Sequence, residues 1–156
     1  MSDARFEDAG GKPLHLKALE PDDLPVLSAL VQDAIFPGSE MSWQSKARRF
    51  AVLLNRFRWE ETSAGAKRTP ERVQSLLVID EVQKVASQGV KPGDKDMVLS
   101  LLSLGFEPGE DGMGQVILTL AGDGAISVQV EALDVTLKDV TKPYIAPSKR
   151  VPSHPE

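Results

Sequence analysis

One stretch limits what this chain can fold into more than any other: Arg48-Arg49-Phe50-Ala51-Val52-Leu53-Leu54-Asn55-Arg56-Phe57-Arg58-Trp59-Glu60. It is the densest mixture of aromatic, aliphatic and guanidinium side chains in the sequence. Side chains of a strand alternate between two faces. Ala51, Leu53, Asn55, Phe57 and Trp59 therefore share one face, and Phe50, Val52, Leu54, Arg56 and Arg58 the other. The first half is apolar on both faces, as in a strand covered on both sides. From Asn55 onward one face turns polar, which predicts that the strand emerges toward solvent there.

The rest of the chain supplies partners for such a strand. Leu14–Leu19 alternates apolar with polar residues and predicts a short strand with His15 at the surface. Glu20-Pro21-Asp22-Asp23-Leu24-Pro25 carries the acidic residues and early prolines of a helix start. The spacing of Leu24, Leu27, Val31 and Ala34 predicts a helix over 23–34, ended by Pro37-Gly38. Met41–Ala47 reads as a short strand or turn, and Glu61–Pro70 as a polar loop. Arg72–Ser87 reads as one long strand with a bulge at Asp80-Glu81, a helix being the alternative.

Met97–Phe106 predicts an interior strand. Gln115–Ala121 and Ala125–Glu131 flank Gly122-Asp123-Gly124, the pattern of a β-hairpin. Leu133–Val140 is read as a short helical segment. Consecutive strands without crossover helices favour an antiparallel sheet. The expected fold is therefore α+β: a curved, barrel-like, mainly antiparallel sheet of about six strands with one main helix on it. Residues 1–12 are expected to be a flexible leader, 13–142 a single domain, and 143–156 a proline-rich tail.

The absence of cysteine removes disulfides, thiolate nucleophiles and Cys-ligated metals. The only histidines, His15 and His154, fall in no nucleophile or metal motif. Gly10-Gly11-Lys12 lacks the spacing and hydroxyl of a phosphate loop, and 109–114 lacks that of a calcium or dinucleotide loop. No catalytic residue, metal site or cofactor is assigned, and the balance leans away from an enzyme. With no apolar signal core and no apolar run approaching about 20 residues, the expectation is a cytoplasmic protein without a membrane span.

Charge is segregated. Residues 41–72 hold eight basic and three acidic side chains, whereas 1–40 hold three and eight, and 73–156 seven and twelve. A local basic surplus in a chain of net charge −5 can steer an acidic partner. The alternative is that these arginines pair with acids of the same molecule. Arg56 and Arg58, on one face, suit a carboxylate or phosphate. Phe57 and Trp59 lie opposite them, which weighs against nucleic acid, where stacking and backbone neutralisation coincide.

The leading expectation is thus a non-catalytic binding or accessory domain contacting an acidic protein, or a second copy of itself, through Arg56 and Arg58. The alternative is a small-molecule or enzyme cleft bordered by Trp43, Asn55, Trp59 and Arg72, with RNA binding a weaker third.

Asp23-Leu24 with Ser28–Ala34, Trp43, Arg48-Arg49-Phe50 and the string Asn55–Glu60 together resemble a bacterial family known as domain of unknown function 2948. Glu71-Arg72-Val73, Val98–Leu101 and Pro152-Ser153-His154 extend the likeness over nearly the whole chain. The resemblance implies a small bacterial cytosolic protein of one domain and brings no activity, ligand or catalytic residue with it.

Overall fold

The computed structural model describes residues 13–59, 71–90 and 93–145. Their order is β1 (His15–Ala18), a 3-10 turn (Pro21–Asp23), α1 (Leu24–Leu30), β2 (Ala34–Pro37), a second 3-10 turn (Gly38–Glu40), β3 (Met41–Gln44) and β4 (Arg49–Phe57). Then follow β5 (Glu71–Ile79), β6 (Val82–Gln88), β7 (Val98–Pro108), β8 (Gly114–Leu120), β9 (Ala125–Val130), β10 (Val135–Asp139) and β11 (Tyr144–Ile145). The predicted leader and the 61–70 loop lie outside the described residues. So does the tail beyond Ile145, but its beginning, β11, pairs antiparallel with β5.

The strands form one antiparallel sheet in the order β1-β10-β5-β4-β2-β7-β8-β9-β6, with β3 added to β4 and β11 to β5. The antiparallel sheet, with a single short α-helix among the described residues, agrees with an α+β reading. The strand number does not: the described residues hold eleven strands where about six were expected, and the path from β1 to β6 stays open. Side chains from both ends of that path nevertheless enter one core, including Val135 and Leu137 of β10, Val52 and Leu54 of β4, and Val128 and Val130 of β9. The sheet coils around that core without joining its ends.

Three segments depart from the sequence pattern for identifiable reasons. The helix stops at Leu30, and Asp33 takes a left-handed backbone (φ 66°), a conformation that aspartate tolerates better than most side chains. Val31 and Ala34 are buried as their spacing demanded, but Ala34 opens strand β2, which bridges β4 and β7. At Asp80-Glu81 the chain breaks instead of bulging. Glu81 has φ 60°, and the two resulting strands occupy distant places in the sheet, β5 inside it and β6 at its end. Residues 135–139 are a strand, because Val135, Leu137 and Asp139 alternate inward against β5.

The hairpin forms where expected. Gly122 (φ 78°) and Asp123 (φ 67°) supply the two successive positive angles that suit a tight turn between twisted strands. Helix α1 buries Leu24 and Leu27, and Ser28 Oγ accepts the Leu104 amide at 2.9 Å, fixing the helix to β7.

Candidate functional site

Strand β4 carries three separate environments along its length. Its inward row, Phe50, Val52 and Leu54, enters the core beside Ile79, Leu77 and Ser75 of β5. Arg56 continues that row. Its accessibility is 0%, so the strand does not emerge into solvent after Asn55, and the expected contact surface is corrected at this point.

What lets a guanidinium lie there is Asp139, brought onto the same face by the pairing of β10 with β5. Arg56 Nη2 donates to Asp139 Oδ1 and Oδ2 at 3.1 and 3.2 Å, and Nε donates to Ser75 Oγ at 3.0 Å. Ser75 Oγ donates onward to Asp139 Oδ1 at 2.6 Å. The Leu14 amide donates to Oδ2 at 2.9 Å, so this carboxylate also holds the start of β1. Asp139 itself is 4% exposed, and the cluster ties together four segments of chain. A buried pair satisfied in this way is tolerated, whereas either partner alone would be costly.

Arg58 is equally remote from solvent, at 2% exposure, and Nη1 donates to the Glu71 carboxylate while its amide donates to the Glu71 carbonyl at 3.0 Å. The alternative reading of the basic residues, pairing within the molecule, describes both arginines. It also describes the start of the strand, where Arg49 Nε meets Asp80 Oδ1 at 2.8 Å and Arg48 donates to Glu131. That last hydrogen bond, reinforced by charge attraction, raises the Arg48 pKa and holds the Glu131 carboxyl below its usual range.

The four residues expected to border one cleft do not meet. Arg72 is opposite Phe57 in the β4–β5 register, and its Nη1 donates to the Asn55 carbonyl at 3.3 Å. Trp59 packs edge-on against Phe57 (centroids 4.7 Å, planes 70° apart) and donates through Nε1 to the Gln32 carbonyl at 2.9 Å. Asn55 Oδ1 is buried without a hydrogen-bond partner among the described residues. These three residues gather at one end of β4. Trp43 sits opposite Phe50, five positions back along the strand, about 17 Å at 3.3 Å per residue.

Trp43 instead borders a separate crevice. Met41 and Trp43 of β3 and Phe50 of β4 form one wall; Val85, Ala86 and Ser87 of β6, with Ile126 of β9, form the other. Its volume is about 180 Å³, and Trp43 remains 40% exposed at its mouth. The crevice lies where the coiled sheet fails to close, beside β6, the last strand of the hydrogen-bonded path. Sequence reasoning singled out Trp43 but missed β6, because the run through Asp80-Glu81 concealed a second strand.

A second, shallower concavity of about 610 Å³ covers the outer face of β10, β5 and β4, with Ala51, Leu53, Leu76 and Val78 as its floor. Two of the cations on that face are already matched by neighbours, Arg49 by Asp80 and Lys17 by Asp134 at 2.8 Å.

Fold and site together define a coiled antiparallel domain with an apolar opening between two of its strands. Residues 14–154 match the model of a family described as protein of unknown function (DUF2948), and the chain belongs to that family. No curated protein and no solved structure matches it. No helix among the described residues is long and apolar enough to cross a membrane.

Proposed function

We propose that this chain is a non-catalytic binding domain that accepts an apolar group in the crevice beside Trp43. The observation that carries the reading is the lining itself: Met41, Trp43, Phe50, Val85, Ala86 and Ile126, with the Ser87 hydroxyl as the single polar side chain. Such a surface offers dispersion and removal of apolar area from water, and no acid or base contributes to the lining among the described residues. An enclosed apolar cavity of about 150 Å³ stays dry and takes up benzene. An opening of about 180 Å³ accommodates one aromatic ring or a branched aliphatic group.

This reading keeps the binding role expected from the sequence and moves it from Arg56 and Arg58 to Trp43. It also keeps Trp43 from the expected cleft without Asn55, Trp59 or Arg72. Titration with indole or toluene, followed by methyl shifts of Met41, Val85 and Ile126, tests it. Saturable shifts confined to those residues are expected. Ser87→Leu, which fills the crevice from the face of β6 that Val85 shares and that lies opposite Ile126, is expected to abolish them. Shifts scattered over the surface, or unchanged binding in the variant, would overturn the assignment.

A further inference from the structure

We infer that the occupant of the crevice is an extended acidic peptide segment, which pairs along the free edge of β6 and inserts one apolar side chain beside Trp43. The inference rests on the crevice being a ligand site, as proposed above, and adds the class of partner. Three observations lead to it.

The first is the edge. Strand β6 runs seven residues and ends the hydrogen-bonded path; beyond Val82, whose amide the Arg48 carbonyl accepts, it is paired on one side only among the described residues, with β9. A row of unpaired amides and carbonyls is a template for another strand.

The second is how β6 enters the crevice wall. Val85, Ala86 and Ser87 are consecutive, yet all three line it. Neighbouring residues of a strand point to opposite faces, so three in succession border a space only along the strand's edge. The opening therefore runs beside the backbone groups that an incoming strand would use. In strand addition, main-chain hydrogen bonds supply affinity and a pocket for an alternate side chain supplies specificity. Edge and pocket coincide here.

The third is charge. The Val82 amide donates to the Arg48 carbonyl at 3.0 Å, which holds the turn before β4 beside the start of β6. Around this junction Arg48 engages Glu131 and Glu81, and Arg49 engages Asp80. Lys46 in the turn and Lys84 on β6 are exposed and make no ion pair among the described residues. The local acids are taken up by arginine, and the remaining positive charge favours a partner with Asp or Glu beside its apolar anchor.

The test uses the full chain and a panel of decapeptides that alternate Glu with Val and carry Phe, Leu or Ala at the centre. Binding is read by amide and methyl shifts. The Phe and Leu peptides are expected to bind with shifts along Lys84–Gln88, and the Ala peptide and Lys-for-Glu versions more weakly. N-methylation of the backbone nitrogens facing β6 is expected to weaken binding about tenfold per lost hydrogen bond, and methylation of the alternate set to leave it unchanged.

The strand-addition inference falls if no panel member binds at millimolar concentration, or if both N-methylated sets bind alike. It also falls if the chain self-associates through β6 without peptide, which would make a second copy the occupant. Should the peptides fail while indole still binds, only this inference is lost. Should indole fail as well, the crevice itself is not a ligand site.

Discussion

The two ends of β4 use the same kind of pair, an arginine with a carboxylate, to opposite effect. At its start, Arg48 and Glu131 are 44% and 47% exposed and meet in water. At its end, Arg56 and Asp139 are 0% and 4% exposed and meet in the interior. Removal of one exposed partner leaves the other solvated. Removal of one buried partner leaves a charge where water cannot reach it, so the penalty of isolation outweighs the value of the pair. A basic run in a sequence is therefore not a basic surface: its meaning depends on which distant strand arrives beside it.

The largest effect expected is at the buried end. Asp139→Ala removes at once the carboxylate that the Arg56 guanidinium, the Leu14 amide and the Ser75 hydroxyl share. A loss of about 3–5 kcal/mol is expected from urea unfolding, the usual cost of breaking a buried pair from one side. A loss no larger than that of an exposed pair would show that water enters the cluster, and the contrast between the two ends would collapse.

A smaller change sharpens the same comparison. Replacing Arg56 by Met, Ser75 by Ala and Asp139 by Leu removes the guanidinium, the hydroxyl and the carboxylate together. Apolar replacement of a whole buried pair is often neutral or stabilising. The triple variant is thus expected to recover most of the stability lost by Asp139→Ala, apart from the Leu14 amide, with unfolding again the measure. If it is as unstable as the single variant, the cluster contributes more through its hydrogen bonds than through avoided isolation.

The division between what the sequence disclosed and what it concealed follows the range of the interactions. Residues Phe50 to Leu54, the hairpin at Gly122-Asp123, β1 and β7 were legible because their signals are local: alternation, paired turn residues, an apolar run. The odd–even separation along β4 was also right, since Phe50, Val52, Leu54 and Arg56 do share one face. The direction of Arg56 was not legible, because it depends on partners brought in by the fold, among them Asp139, 83 positions away. Reading 133–140 as helical hid that residue, although Val135, Leu137 and Asp139 stand at strand spacing. Of the site, Trp43 was named and its opposite wall was not. The sign of trouble was at Asp80-Glu81, where a residue with a left-handed backbone separates β5 from β6 and supplies the turn.

The smallest effect expected is at the exposed end, and its pH dependence gives it a signature. The hydrogen bond and attraction of Arg48 lower the Glu131 pKa, while Arg48 stays charged throughout the accessible range. A carboxyl whose folded pKa is depressed contributes stability above its unfolded pKa, near 4.3 for glutamate, and loses it as pH falls through the folded value. Glu131→Gln is therefore expected to lower the urea midpoint slightly at neutral pH. The difference should narrow as pH falls below the ordinary glutamate range and disappear once Glu131 is protonated in the native protein. Added salt should shrink it at neutral pH, because both groups are reached by counterions. A deficit that survived acid and salt would place this pair with Arg56–Asp139, and exposure would no longer separate the two ends of the strand.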